Sequence, residues 1–256
     1  MNRRNPSTAA SGSSAPVRHL DQRLPRSWQA WLARLRTAPF VSLHLIAGLA
    51  LCALFLWAFI AIAEDIPEKG SLVHLDLTVA AWLQMHGTEW GEAIFSVISW
   101  LGSPVLIAIE IAVALWLLAR RDWMRFWFWV ATIGGGKLLE LVLKLGFRRT
   151  RPVYASEFIH HQSWSFPSGH AMSSLIGYGL MAFLILPSVR GERRRRAIVI
   201  AAVALTAAIG YSRLYLGVHY LSDVVAGFLA GGLWLVICIW TFQATRRRAT
   251  DRSPAA

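Results

Sequence analysis

Three short clusters between Lys144 and Asp223 carry side chains that could hold a phosphoryl group and attack it. Six residues separate Lys144 from Arg151-Pro152; Pro167-Ser168-Gly169-His170 follows, and Ser212-Arg213, His219 and Asp223 complete the set. Arg151 and Arg213 offer planar forks suited to phosphate oxygens, and Lys144 adds a point charge. Pro167-Ser168-Gly169-His170 opens an apolar block. As a helix start it presents free backbone N–H groups and the positive end of the helix dipole, with Gly169 permitting close approach of an anion. His219 and Asp223 are four apart at the start of the next apolar block, hence on one helix face. The carboxylate can there accept the Nδ1 proton of the imidazole, fix its tautomer and stabilise an imidazolium.

These groups can cooperate only if the elements between them bring them together. The chain has 256 residues, 55% hydrophobic and 16% charged, with a mean hydropathy of +0.46. Its apolar residues fall in blocks of about twenty, enough to cross a hydrocarbon core of roughly 30 Å as helix. The expected fold is therefore all-α: a polytopic membrane protein with six transmembrane helices and a short extracytoplasmic surface helix. Spans are expected over residues 41–63, 126–146, 169–186, 197–216 and 221–242, with the second ending at 118 or 119. Gly102-Ser103-Pro104 leaves two readings for the start of that second span. It is a kink in a long helix from Gly91, or a fresh start with Ser103 as N-cap and Pro104 at the first helical position. Val73, Leu77, Ala80 and Ala81 mark the surface helix within the acidic stretch 64–92. The domain plan is a basic cytoplasmic tail over 1–36, a six-helix membrane domain over 37–245 and a second basic cytoplasmic tail over 246–256. Trp28, Trp31, Leu32 and Leu35 at helical spacing fit either an interfacial helix or an extension of the first span. Cys52 and Cys238 fall at different depths, so no disulfide is expected.

The net charge of +12 would suggest nucleic acid in a soluble chain, but the basic residues here sit in short segments between apolar blocks. Nineteen of the 26 Lys and Arg residues lie in the two tails and in the loops around Arg120 and Arg193, which makes that face cytoplasmic. Lys144, Arg148, Arg149, Arg151 and Arg213 lie at the opposite ends of the helices. A basic cluster against the topological bias implies an anionic ligand, the plainer alternative being that Arg148, Arg149 and Arg151 form a belt that binds lipid headgroups. The 41 residues between His170 and Ser212 make roughly 60 Å of helix, two crossings of the core, so both clusters return to one face. Within the membrane, Lys137 needs a carboxylate, either Glu110 or Glu140. Gly134-Gly135-Gly136 should permit close helix packing. His160 and His161 fit a plain loop or headgroup contact, and Trp164 an interfacial anchor ahead of a stack on substrate.

With these spacings the chain resembles the type 2 phosphatidic acid phosphatase family: Lys144 through Arg151-Pro152, Pro167-Ser168-Gly169-His170, and Ser212-Arg213 through His219 and Asp223. The likeness runs from about Trp90 to Gln243 and leaves out the N-terminal tail. That family also includes bacterial undecaprenyl-diphosphate and phosphatidylglycerophosphate phosphatases, with acid phosphatases and vanadium haloperoxidases among its soluble relatives. The resemblance implies a lipid phosphatase of the bacterial inner membrane, both termini cytoplasmic and the active site facing the periplasm or exterior. His219 would be the nucleophile and form a phosphohistidine, Asp223 would hold it, and His170 would protonate the leaving oxygen and then activate water. Lys144, Arg151, Ser168, Gly169 and Arg213 would bind the phosphoryl oxygens. No metal and no cofactor is implied. The substrate would be undecaprenyl diphosphate, phosphatidylglycerophosphate or phosphatidic acid; alternatives are a phosphotransferase with a lipid A acceptor and a non-enzymatic lipid transporter.

Overall fold

The computed structural model describes residues 39–68, 70–152 and 164–251, so the expected helix near Trp28 and the pair His160 and His161 lie outside the described residues. The chain divides into two units, residues 1–49 and 50–256. Of the first, only the opening turns of helix α1 are described; the site and its supports belong to the second.

Helices carry the described residues: α1 Pro39–Glu68, α2 Ser71–Met85, α3 Glu89–Trp100, α4 Pro104–Ala119, α5 Trp123–Phe147, α6 Gly169–Ile185, α7 Glu192–Tyr215 and α8 Leu221–Asp251. Six stretches among the described residues are long and apolar enough to cross a membrane, with α3 and α4 together making one of them. Large apolar side chains such as Ile111, Trp127, Leu138 and Val203 are exposed on the spans, as a surface against lipid tails requires.

Local sequence explains the boundaries. Thr88 caps α3, its hydroxyl accepting from the Gly91 amide at 3.1 Å, with Glu89 and Glu92 in the first turn facing the dipole. Asp122 caps α5 by accepting from the Arg125 amide at 3.2 Å. The ambiguity at the second span resolves as a fresh start: α3 ends at Trp100, and α4 begins at Pro104 with Ser103 at the N-cap position. Pro104 has no amide to lose in a first turn, so it opens a helix where it would break one. The surface helix expected around Val73 is α2, and Asp65 holds its start by accepting from the Leu72 amide at 3.0 Å.

Helix α6 sits at the centre, packed against α5, α7 and α8. Its buried face is mostly small: Gly169, Ala171, Ser173, Ser174 and Gly177, with Met172, Ile176 and Leu180 filling the gaps. Small residues let neighbouring backbones approach in the bilayer, where lipid gives little hydrophobic drive for association. The C-terminal ends of α5 and α7 and the N-terminal ends of α6 and α8 are thereby brought together.

Candidate active site

These helix ends meet through direct bonds between residues far apart in the chain. Arg151 Nη1 donates to the Val218 carbonyl at 2.9 Å and lies 3.4 Å from His219 Nε2, joining the first cluster to the third. The Ser168 amide donates to the Asp223 carbonyl at 2.9 Å, joining the second to the third. Ser165 ties the turn after α5 to the approach to α6, its amide donating to the Arg149 carbonyl at 2.8 Å and its hydroxyl to the Thr150 carbonyl at 3.0 Å. Lys144 reaches the second cluster through Glu140, whose Oε1 accepts from Nζ at 2.8 Å. A Cβ on Gly169 would stand 2.0 Å from that same oxygen, so the glycine is what lets the Glu140 carboxylate lie against the start of α6.

His219 is 3% exposed and sits in the turn ahead of α8, while Asp223 lies in the helix's first turn. This agrees with a span expected to begin at 221; the turn before the helix holds the imidazole, with the Val218 and His219 amides donating to the Arg213 carbonyl at 3.2 and 3.3 Å. Since Arg151 presents an N–H donor, Nε2 must be the acceptor, which puts the neutral ring's proton on Nδ1. Nδ1 lies 3.5 Å from Asp223 Oδ2 and makes no hydrogen bond among the described residues, so the pair is one small approach from closure. Burial pushes the His219 imidazole down to about 4, against the pull of Asp223. At neutral pH its Nε2 therefore keeps an unprotonated lone pair, which here faces Arg151.

Asp223 is fully buried, and its other oxygen is held from an unexpected quarter. Arg149 Nη1 donates to Asp223 Oδ1 and to Ser222 Oγ, both at 2.7 Å, while Nη2 donates to Asp76 Oδ2 at 2.8 Å. Asp76, 2% exposed on α2, also accepts from the Ser222 amide at 2.9 Å and from its hydroxyl. Burial lowers the guanidinium's affinity for its proton, but Asp223 and Asp76 outweigh burial and hold Arg149 above its ordinary value. The alternative that placed Arg149 in a headgroup belt is thus corrected: two buried carboxylates claim it. One signal was available in the sequence. Asp76 lies three residues after Val73 and four before Ala80, on the apolar stripe of α2, where a carboxylate needs a buried cation.

Arg213 is 8% exposed and donates through Nη1 to Ser99 Oγ on α3. Its Nε and the Ser168 hydroxyl are buried without a hydrogen-bond partner among the described residues. Buried polar atoms are ordinarily satisfied, and phosphate oxygens are acceptors that would satisfy both. His170, in the first turn of α6, is in electrostatic contact with His219 and Arg213. Every expected site residue, His219, His170, Asp223, Lys144, Arg151, Ser168, Gly169 and Arg213, therefore sits where the C-terminal ends of α5 and α7 meet the N-terminal ends of α6 and α8. Deeper in α5, Glu140 rather than Glu110 pairs with Lys137, Oε2 to Nζ at 3.3 Å. Glu110 is buried against Gly177 on α6. Trp164 is half-buried.

Residues 125–247 match the PAP2 superfamily. Phosphatidylglycerophosphatase B of Bacillus subtilis (strain 168) is 33% identical over 147 residues, 56% of this chain and 70% of that protein. Lipid A 4'-phosphatase of Bacteroides thetaiotaomicron is 42% identical over 90 residues, 34% of this chain and 36% of that protein. Among solved structures, the transmembrane PAP2 type phosphatidylglycerolphosphate phosphatase from Bacillus subtilis superposes with a TM-score of 0.69 at 25% identity, covering 75% of this chain and 96% of that one. Aquifex aeolicus LpxE, at 22% identity and a TM-score of 0.51, covers 65% of this chain and 95% of its own and shares the fold.

Proposed function

The chain belongs to the membrane lipid phosphatases of the PAP2 superfamily, and from that premise we propose that it removes the terminal phosphate of a membrane lipid, foremost phosphatidylglycerophosphate, through a phosphohistidine on His219. The observation that carries this reading is the approach of Arg151 Nη1 to within 3.4 Å of His219 Nε2. A phosphate clamped by that guanidinium lies within reach of the lone pair.

In the first step Nε2 attacks phosphorus and the bond to the lipid oxygen breaks. His170 gives its proton to that oxygen, and Asp223 stabilises the positive imidazole ring. In the second, His170 takes a proton from water, the hydroxide attacks phosphorus, the N–P bond breaks, and phosphate leaves with His219 restored. Lys144, Arg151, Arg213, the Ser168 hydroxyl and the Gly169 amide would hold the equatorial oxygens as charge develops. Both termini would be cytoplasmic in a bacterial plasma membrane, with the pocket at the outer leaflet. Phosphatidylglycerophosphate leads because phosphatidylglycerophosphatase B of Bacillus subtilis, of which this chain covers 70%, is named for it.

The test is phosphate release by the purified protein in detergent with EDTA, over phosphatidylglycerophosphate, phosphatidic acid, undecaprenyl diphosphate and lipid A. His219→Ala and His170→Ala are run beside it. Hydrolysis that survives chelator, is inhibited by vanadate and is lost in both variants is expected. Full activity of His219→Ala would overturn the mechanism, and release from every lipid except phosphatidylglycerophosphate would overturn the substrate. Radiolabel passed to lipid A instead of water would select transfer over hydrolysis.

A further inference from the structure

Asp76 and Arg149 stand outside the three clusters, yet they are bound to the carboxylate that faces the imidazole. Asp223 gives Oδ1 to Arg149 and keeps Oδ2 for the Tyr220 amide, at 2.9 Å, and for the ring. A guanidinium facing Asp223 alone would neutralise it and weaken its hold on a developing imidazolium. The second arm of the fork goes instead to Asp76, and the same carboxylate receives the Ser222 amide at the start of α8. Counted together, Asp76, Arg149 and Asp223 leave one net negative charge beside His219. The Arg149 guanidinium also lies over the Tyr220 ring at 4.3 Å, which fixes its plane. No ligand contact is needed to explain any of these bonds.

We propose that Asp76, on the surface helix α2, is a positioning residue for catalysis: through Arg149 and Ser222 it aims Asp223 and keeps that carboxylate's charge available to His219. This rests on the reading of His219 as nucleophile. It makes α2 a working part of the site, so that the imidazole is set for attack only when this helix is seated against α8. The other charged groups facing His219 are Arg151 in the turn after α5, Arg213 on α7 and His170 on α6. All three are left in place by changes at Asp76.

The experiment follows the His219 imidazole by nuclear magnetic resonance in histidine-labelled full-length protein in detergent micelles, its signal assigned by difference from His219→Gln. Hydrolysis of dioctanoyl phosphatidylglycerophosphate is measured in parallel. Asp76→Asn removes one negative charge, so His219 becomes harder to protonate and its titration midpoint moves down. At neutral pH kcat falls about 10- to 100-fold while KM changes less than about threefold, the loss expected when a buried charged hydrogen-bond partner disappears. The double variant Asp76→Asn with Arg149→Met restores the single net negative charge, and the midpoint returns towards the wild-type value. A purely structural role predicts the opposite, further damage from the second change. A midpoint unmoved in Asp76→Asn, or a double variant shifted further down than the single, overturns the proposal. Should Asp76→Asn not fold, Arg149→Lys replaces it. Lysine keeps the charge but cannot grip both carboxylates in a fixed fork, so kcat must fall at nearly constant KM, and an unchanged kcat overturns the idea. If His219→Gln keeps full activity, the nucleophile assignment fails, whereas the titration shift still decides the coupling.

Discussion

A buried imidazole next to two guanidinium groups is costly to protonate, and that cost is what makes His219 usable as a nucleophile. Burial pushes it down to about 4, well below the ordinary value near 6.5. Above that midpoint the ring is neutral and Nε2 can attack; below it the lone pair is taken by a proton. The contribution of His219 to kcat/KM in the free enzyme should therefore hold level from neutral pH downward and fall with unit slope only below about pH 4, once the ionisations of the substrate and of the acid His170 are subtracted. An acid limb near pH 6.5 would mean that the ring is solvated in the working enzyme. Replacing Arg151 by Met should raise the midpoint, because one of the cations opposing protonation is gone. The residues needed for this argument were legible in sequence by type and spacing. The depth of burial was not, since it depends on how the turn that joins α7 to α8 is folded back onto the Arg213 carbonyl.

Helices α6 and α8 bring the clusters into register, and two glycines one turn apart set how closely they cross. A Cβ on Gly227 would stand 2.7 Å from the Ser168 carbonyl oxygen, and one on Gly231 2.9 Å from that of Met172. Backbone oxygens cannot swing aside as a side-chain tip does, so Gly231→Ala must push the helices apart. The expected cost is about 1–3 kcal/mol, seen as a lowered melting temperature in detergent together with reduced phosphate release. Gly146→Ala is the control: nothing lies within 4 Å of its Cβ position, and alanine favours helix there, so stability should hold or rise. Unchanged melting in Gly231→Ala would refute the close-crossing account. The Gly227 and Gly231 spacing can be read from the sequence; the partner helix cannot, because spacing names a face and not what meets it. Gly134-Gly135-Gly136 shows the same limit. Gly135 and Gly136 approach Trp234 and Ile176, while the Gly134 position has nothing within 4 Å.

Across the whole molecule, charge placement and helix length together dictate that the pocket opens on the face away from the arginine-rich loops. The 41 residues between His170 and Ser212 suffice for two crossings, and α6 and α7 supply them, returning Arg213 beside the start of α6. That much of the topology follows from counting, because a membrane limits a long apolar helix to crossing it. The pairing of Asp76 with Arg149 could not be counted in this way. The two are 73 residues apart on a surface helix and a turn, and neither hydropathy nor a spacing rule links them. Orientation, by contrast, has a direct test. With Cys52 and Cys238 replaced by Ser, a single cysteine at Glu89, exposed at the start of α3, should react with a membrane-impermeant maleimide in intact spheroplasts. One at Arg194, exposed early in α7, should react only after permeabilisation. Labelling in the reverse order would place the pocket in the cytoplasm. The basic cluster at Lys144 and Arg151 would then be an ordinary product of the inside-positive bias, and its claim on an anionic substrate would rest on geometry alone.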